Sequence, residues 1–162
     1  MRHAKSDWSA NGDDHDRPLN ERGMKSAPAM GQWLHDMGWL PGEILCSTAT
    51  RTRQTLDLLN VPDASTRFER ALYLAEAEDM IGAIQTAEAD TVLVLGHNHG
   101  IAECAHRLVA NWPEHPRFMD YPTCATSVIH FDVEDWSLVT EGVGVCDAFS
   151  IPREVIANRS AD

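Results

Sequence analysis

The stretch Thr91-Val92-Leu93-Val94-Leu95-Gly96-His97-Asn98-His99-Gly100 carries the clearest fold signal in this sequence of 162 residues. Its first half is a continuous run of β-branched residues and leucine, which is typical of a strand buried on both faces. Apolar residues then recur at helical spacing, so a helix is predicted over residues 100–111. A buried strand that leads directly into a helix is the repeating unit of an α/β fold.

The rest of the chain alternates in the same way. Further helices are predicted over residues 20–38, 50–60 and 76–89, and further strands over residues 43–47, 66–69, 126–133 and within 138–149. Residues 153–162 are predicted to form a short helix or a loose tail. The length and this order predict one α/β domain over residues 1–162, built in three layers. Its central sheet should be mainly parallel but mixed, with helices on both faces.

The charge balance limits the classes of partner. The chain has 13 basic and 25 acidic residues and a formal net charge of −12. Such a surface repels phosphate backbones, so nucleic-acid binding is not expected, and any phosphate site must be a local cluster of Arg and His. No apolar run approaches the ~20 residues of a membrane span, and the polar N-terminus lacks a signal peptide. We therefore expect a cytoplasmic monomer without membrane contact.

The four cysteines point to no cofactor. Cys46, Cys104, Cys124 and Cys146 are widely spaced and never form a C-x-x-C pair. This spacing is not that of a zinc ribbon or a thioredoxin motif. Reduced, mostly buried thiols are the expectation for a chain of this kind.

Two strand-to-helix junctions and the chain start carry the residue types that phosphoryl transfer needs. Arg51 opens the helix after the strand at 43–47, and His97 follows the strand at 91–95. In open α/β sheets, binding sites lie beyond the carboxyl ends of the strands. The pair Arg2-His3 would complete a pocket there, with His3 as the nucleophile and the guanidinium groups holding the phosphoryl oxygens.

The protonation states of the two histidines would matter in such a pocket. A nucleophilic His3 must be neutral, and a backbone carbonyl that accepts from one ring nitrogen would fix the useful tautomer. His97, if protonated, would add a third cationic group, and the helix start beside it would offer backbone N–H groups to an anion. This chemistry stabilises charge with positioned donors and needs no metal.

The place of Arg2-His3 in the chain raises a question about the first strand. A strand of ~5–6 residues should precede a catalytic residue at the carboxyl edge of a sheet. The first strand is therefore interpreted as truncated. Met1 is either an internal methionine of a longer native chain or the true start of a protein that tolerates a short strand.

Less specific interpretations compete with the phosphate pocket. His3 could be a frayed terminal residue, and Arg51 and Arg53 could be solvated, although cations at a helix start oppose the helix dipole. Two arginines two positions apart cannot share one helix face, so only one of Arg51 and Arg53 should point inward. His97 and His99, with His106 or Cys104, could form a metal-dependent hydrolase site, but no acidic ligand cluster accompanies them. The remaining histidines are interpreted as surface or structural residues, namely His15, His35, His115 and His130.

Four segments in order resemble the motifs of the histidine phosphatase superfamily, and in particular its small SixA-type phosphohistidine phosphatase branch. They are Arg2-His3-Ala4-Lys5-Ser6, Asp16-Arg17-Pro18-Leu19-Asn20-Glu21-Arg22-Gly23, Ser47-Thr48-Ala49-Thr50-Arg51-Thr52-Arg53-Gln54-Thr55 and Gly96-His97-Asn98-His99-Gly100. The resemblance covers residues 1–100. It implies a phosphoglycerate mutase-like fold and no cofactor or metal.

The resemblance also implies roles for individual residues. His3 would be the phosphorylated nucleophile, and Arg2, Arg51 and His97 would form the rest of the phosphate pocket. Arg17 would lie near the pocket mouth, and Arg17 and Asn98 would contact the substrate. The substrate would be a phosphorylated protein carrying phosphohistidine, or a small phosphorylated molecule. A phosphate-binding or regulatory module without catalysis is the alternative.

The chain departs from the family pattern at three points. Ala4 stands where many superfamily members have glycine, and His99 stands where proline is usual, which adds a titratable group to the loop. Larger relatives supply a proton-donating carboxylate between the two halves of the site. Glu76 is the candidate here, with Glu78 close by, although acidic residues in this segment would equally suit the first turn of a helix.

Overall fold

The computed structural model describes residues 1–161 and confirms the α/β fold. Five α-helices and five strands are present in this range, joined by short 3₁₀ turns. The helices are α1 (Glu21–Asp36), α2 (Thr50–Leu59), α3 (Ala77–Ile84), α4 (Gly100–Leu108) and α5 (Pro152–Arg159). The strands are β1 (Glu43–Ser47), β2 (Ser65–Glu69), β3 (Val92–Leu95), β4 (Thr126–His130) and β5 (Val145–Ser150).

The sheet is mixed, as predicted, and the first residues of the chain join its two sections. β1 lies between β2 and β3, parallel to both, whereas β4 and β5 form an antiparallel pair. The His3 N–H donates to Gly96 O on one side, and the Arg2 N–H donates to Ala125 O on the other. The strand that carries the predicted nucleophile is thus short but hydrogen-bonded along both edges.

Helices cover both faces of the sheet. The side chains of β1 therefore point alternately into two hydrophobic cores. Ile44 and Cys46 join the core formed with α1, α2 and α5, whereas Leu45 joins the core formed with α3 and α4. α1 and α2 approach closely at Gly31, where a Cβ atom would lie 1.9 Å from Leu59 O. The layers predicted from the sequence are therefore confirmed.

A groove lies between β3 and β4. It has a volume of about 720 Å³ and is lined in part by Leu93, Val128 and Trp136. The buried Met1 ammonium group donates to Val94 O on β3, and burial lowers the pKa of this group to about 6.

Two predicted helices end early because their last residues serve other contacts. α3 stops at Ile84, and the N–H groups of Glu88 and Ala89 donate to the buried carboxylate of Glu43. α4 stops at Leu108, and the next residue bridges to Gly144 instead. The strand predicted over residues 126–133 likewise ends at His130.

The sequence also made predictions about the cap of α1, the cysteines, the C-terminal segment and membrane spans. Asn20 caps α1 by accepting from the Gly23 N–H, as predicted. All four cysteines are free; Cys146 is half-buried, the other three are buried, and burial raises the pKa of the Cys124 thiol to about 12. Of the two alternatives for the C-terminal segment, a short helix or a loose tail, α5 is the short helix, while residue 162 lies outside the described residues. Within residues 1–161, no helix is long and apolar enough to cross a membrane.

Candidate active site

His3 is buried with one ring nitrogen engaged and the other free. Its side chain is 6% exposed, and its Nδ1 lies 2.7 Å from Ala4 O. A carbonyl oxygen only accepts, so Nδ1 carries the hydrogen and Nε2 carries the lone pair. Burial lowers the pKa of His3 well below its usual value, and the charges of Arg51 and Arg2 lower it further. His3 is therefore a neutral imidazole whose Nε2 is available as a nucleophile.

His97 lies beside His3 and is buried more completely. The ring centroids of the two histidines are 5.1 Å apart, and His97 is 1% exposed. Its Nε2 lies 2.8 Å from Ser47 Oγ, whereas its buried Nδ1 has no hydrogen-bond partner among the described residues. Burial and the charge of Arg51 lower its pKa to about 3. The cationic form considered for His97 is therefore not its state in this structure, where the ring is neutral at pH 7.

Arg2 and Arg51 are each held by a hydrogen bond from Nη1 to a main-chain carbonyl oxygen. Arg2 Nη1 donates to Tyr121 O at 3.0 Å, and Arg51 Nη1 donates to Asp14 O at 2.6 Å. In both residues Nε is buried and has no partner among residues 1–161. Each guanidinium is thus anchored through Nη1, which leaves its Nε–H free as one arm of a two-pronged donor. This geometry matches two oxygens of a phosphoryl group.

Asp14 connects Arg51 to the loop over the pocket. One carboxylate oxygen of Asp14 accepts from Arg51 Nη2 at 3.0 Å and from the Tyr73 hydroxyl at 2.6 Å, and the other accepts from Arg17. The hydrogen bond from Tyr73, together with those from the two arginines, holds the pKa of the Asp14 carboxyl well below its usual range. Asp14 is therefore ionised and orients the guanidinium of Arg51.

Arg17 and Asn98 lie at the edge of this pocket. Arg17 also donates to Ser6 Oγ, and its guanidinium lies 3.7 Å above the exposed ring of Trp8. Asn98 Nδ2 donates to Tyr121 O at 3.2 Å, while its buried Oδ1 has no partner. Arg17 thus shares the Asp14 carboxylate with Arg51, and Asn98 shares Tyr121 O with Arg2.

The structure does not bring the candidate proton donors into hydrogen-bond contact with the pocket. The main chain at residues 75–76 packs tightly on Gly100, where a Cβ atom would lie 1.8 Å from Ala75 O. The Glu76 side chain is nevertheless exposed at the start of α3 and makes no hydrogen bond to a described residue of the pocket. Glu78 pairs with Arg107.

The proposed histidine metal pair separates in the structure. His97 is buried in the pocket, whereas His99 is exposed at the start of α4. Within residues 1–161, no group of three or more His, Cys, Asp or Glu side chains is placed to hold a metal ion. The sequence pattern H-x-H therefore does not correspond to a ligand cluster here.

Three residues of this site were not identified from the sequence as members of it. Ser47 ends β1, and its position at the carboxyl edge of a strand is a usable signal. Asp14 is one of several acidic residues in a polar loop, and nothing in the sequence distinguishes it. Tyr73 follows a short 3₁₀ turn. His15, which was interpreted as a surface or structural residue, lies beside them, 4.8 Å from the Tyr73 ring and 2.9 Å from Thr48 Oγ1.

Two guanidinium groups and two neutral imidazoles at the carboxyl ends of parallel strands define a phosphoryl-transfer enzyme. Comparison with known proteins identifies its kind. The model of the histidine phosphatase superfamily (branch 1) matches residues 1–72. A structure assigned as the phosphohistidine phosphatase SixA of Nakamurella multipartitia superimposes with a TM-score of 0.81 at 30% identity, covering 94% of this chain and 93% of that one. The chain belongs to the histidine phosphatase superfamily and is a phosphatase of the SixA-like type.

Two uncharacterised proteins extend this set of relatives. A chloroplastic protein of Arabidopsis thaliana is 36% identical over 123 residues, which cover 67% of this chain and 56% of the plant protein. The present chain thus matches little more than half of that relative's length. A protein of Mycobacterium tuberculosis is 33% identical over 160 residues, covering 94% of this chain and 100% of the relative.

Replacement of Asp14 by asparagine should lower kcat/KM about tenfold. The amide keeps the shape of the side chain but weakens the one side-chain hydrogen bond that orients Arg51, because it removes the carboxylate charge; a hydrogen bond to a charged group is worth roughly 1.5–3 kcal/mol. Steady-state kinetics with p-nitrophenyl phosphate would measure the effect. Asp16→Asn is the matched control, because Asp16 is an exposed neighbour in the same loop. Equal kinetics for the two variants would contradict the orienting role of Asp14.

Stability should fall as the pH is lowered below neutrality. The folded-state pKa of His97 is about 3, whereas the ordinary value is 6.5. Because the unfolded state then binds more protons, the contribution of His97 is complete above the unfolded pKa and is lost as the pH falls towards the folded pKa. Between pH 7.5 and pH 5 this loss should be about 2 kcal/mol for His97 alone.

Urea unfolding of wild type, His97→Gln and His35→Gln at both pH values would measure this contribution. The exposed His35 is the control and should keep the wild-type difference between the two pH values. His97→Gln should lose about 2 kcal/mol less than the wild type on acidification. An unchanged difference in this variant would show that His97 is not held neutral by the fold.

Proposed function

We propose that this protein is a metal-independent phosphatase that acts through a covalent phosphohistidine on His3. One observation carries the proposal: three buried nitrogens without partners among residues 1–161 belong to the residues whose charges or rings lie close to His3. These are Nε of Arg2, Nε of Arg51 and Nδ1 of His97. Buried donors in native proteins are nearly always paired, so such a cluster favours a ligand with several acceptor oxygens.

The reaction would proceed in two displacements at phosphorus. In the first, the Nε2 lone pair of His3 forms a bond to phosphorus, and the bond to the leaving group breaks with its electron pair. The leaving atom takes up a proton, and Nδ1 keeps its hydrogen bond to Ala4 O. In the second, water forms a bond to phosphorus, the P–N bond breaks, and its electron pair returns to Nε2. The attacking water releases a proton to solvent, which balances the proton that the leaving atom took up from solvent in the first step. Inorganic phosphate and free His3 are the products.

The pocket would stabilise both transition states by fixed charge. The N–H groups of Arg2 and Arg51 would hold the equatorial oxygens, over which the negative charge is spread in the transition state. Because the arginines are already anchored on Tyr121 O and Asp14, little reorganisation is needed at the moment of reaction. Arg17 and Asn98, at the edge, would contact the rest of the substrate.

The substrate we propose is a phosphohistidine on a protein, with small phosphoesters as the alternative. Two features support the first. The Glu76 carboxyl makes no hydrogen bond to the described pocket and Asp14 is ionised, whereas the nitrogen leaving group of a phosphoramidate needs less acid assistance than an alkoxide. The structural relative from Nakamurella is itself assigned as a phosphohistidine phosphatase.

A substrate panel with a metal chelator tests the proposal. A protein carrying phosphohistidine and p-nitrophenyl phosphate should both be hydrolysed in the presence of EDTA, the former with the higher kcat/KM, and vanadate should inhibit. Loss of activity in EDTA with recovery on adding zinc would support the metal-dependent alternative instead. Vanadate binding without turnover of any substrate would indicate a phosphate-binding module. A higher kcat/KM for p-nitrophenyl phosphate would contradict the substrate assignment alone.

A further inference from the structure

Ser47 is fully buried at the end of β1, in contact with His97. Its side chain is 0% exposed, and its Oγ lies 2.8 Å from His97 Nε2. The Ala49 N–H donates to the same oxygen at 3.3 Å. Ser47 Oγ therefore has two neighbours, of which one is a donor and the other a ring nitrogen that can either donate or accept.

The hydrogen of the Ser47 hydroxyl decides between the two arrangements. A serine hydroxyl has one hydrogen to donate, and Ala49 N–H already acts as a donor towards it. Among the described residues, His97 Nε2 is the one acceptor within hydrogen-bond distance of this oxygen. If Nε2 carried a hydrogen, the hydroxyl hydrogen would be left unpaired in a site without solvent access, which native structures avoid. Ser47 must then donate to Nε2.

The groups around His97 keep its ring neutral, so one nitrogen carries one hydrogen. The ring faces the positive charges of Arg51 and Arg2 and is close to His15, while the Asp14 carboxylate opposes them. Burial adds to the effect of the arginines and lowers the pKa of His97 to about 3. A neutral ring that accepts at Nε2 carries its hydrogen at Nδ1.

We infer that Ser47 is a positioning residue that fixes His97 as the Nδ1–H tautomer and so directs an N–H donor to the phosphoryl oxygen. The catalytic meaning of this tautomer rests on the proposed function of the pocket. Nδ1 is the buried nitrogen of His97 that has no partner among residues 1–161. The opposite tautomer would present a lone pair to the phosphoryl oxygens and would repel them.

The two neighbouring histidines are thereby set for opposite tasks by their second nitrogens. Ala4 O accepts from Nδ1 of His3 and leaves a lone pair free at Nε2, as a nucleophile requires. Ser47 Oγ donates to Nε2 of His97 and leaves an N–H free at Nδ1, as an oxyanion donor requires. Both rings are neutral, so the pocket distinguishes them by hydrogen bonding alone.

Nitrogen NMR of the wild-type protein tests this inference without any change to the chain. Protein labelled with ¹⁵N in its imidazole rings would be measured at neutral pH, and His97→Gln would assign the signals of His97. We expect a protonated Nδ1 and an unprotonated Nε2. A protonated Nε2, an average of both tautomers, or an imidazolium would overturn the inference.

A pair of variants then tests whether Ser47 fixes the tautomer. Ser47→Ala should return His97 to a mixture of tautomers and lower kcat about 10²-fold, the effect of losing one oxyanion donor. Ser26→Ala is the matched control, since it removes another buried serine hydroxyl, on α1, that makes no hydrogen bond to Ser47 or His97 within residues 1–161. It should leave the His97 signals unchanged. Retention of the pure Nδ1–H tautomer in Ser47→Ala would contradict the role of Ser47.

The outcome also separates this inference from the proposed function. If wild-type protein binds vanadate and hydrolyses phosphohistidine while His97 carries its hydrogen at Nε2, the tautomer assignment is wrong and the phosphatase proposal stands. If the tautomer is as inferred but no phosphorylated substrate is turned over, the proposed function fails and the catalytic meaning of the tautomer fails with it.

Discussion

Replacement of His3 by alanine should lower kcat by about 10⁴-fold or more, because an enzyme that loses its covalent nucleophile retains the rate provided by binding and fixed charge alone. The loss should appear with phosphohistidine and with phosphoester substrates alike. Vanadate binding should persist, since Arg2, Arg51 and His97 all remain. Steady-state kinetics and a vanadate titration of the same preparation would measure both quantities.

A second histidine variant controls for general effects of such a change. His35 is exposed on α1, far along the chain from the pocket residues, and His35→Ala should keep wild-type kinetics. His3 is itself buried, so thermal unfolding of His3→Ala must show that the fold is intact. A folded His3→Ala protein with more than about a tenth of wild-type kcat would remove His3 from the role of nucleophile.

Replacement of Arg51 by alanine should lower kcat/KM by about 10²–10³-fold, the usual effect of losing one donor to a developing oxyanion. Arg51 is 2% exposed and has an unpaired Nε, so its donors are fixed before substrate binds. Arg51→Lys keeps the positive charge but not the two-pronged geometry, and it should recover little of the loss. Kinetics of both variants with one phosphoester would measure the difference.

Arg53→Ala provides the matched control for Arg51. Arg53 lies two residues along the same helix, is exposed and packs its guanidinium 4.1 Å from the Phe68 ring. Its replacement should change kcat/KM less than twofold, since surface changes away from a site have small effects. Comparable losses at the two positions would show that net charge, rather than the positioned donor at Arg51, supports the reaction.

The sequence predicted those parts of the structure that depend on local pattern. The buried run at 91–95 and the apolar periodicity of the helices gave the layers of the fold. Arg51 and His97 were identifiable because each follows a strand, where open α/β sheets place their sites. Helix geometry alone also predicted that only one of Arg51 and Arg53 points inward.

The parts that sequence did not predict depend on contacts between distant segments. Asp14 belongs to the site because a loop folds over Arg51, and no local signal separates Asp14 from its acidic neighbours. The early end of α3 depends on amide groups that turn to the buried Glu43. The neutral state of His97 depends on burial and on the nearby charge of Arg51, which no local sequence pattern reports. Each is a tertiary effect that overrides a reasonable local expectation.

Trapping of the phosphoenzyme tests the central claim most directly. Wild-type protein would be quenched during turnover of a ³²P-labelled substrate, and the labelled residue would be identified by peptide mapping. The account predicts label on His3 that is lost in acid and stable in alkali, and no label in His3→Ala. Label on another residue, or rapid turnover with no label on His3 under any quench, would contradict the covalent mechanism.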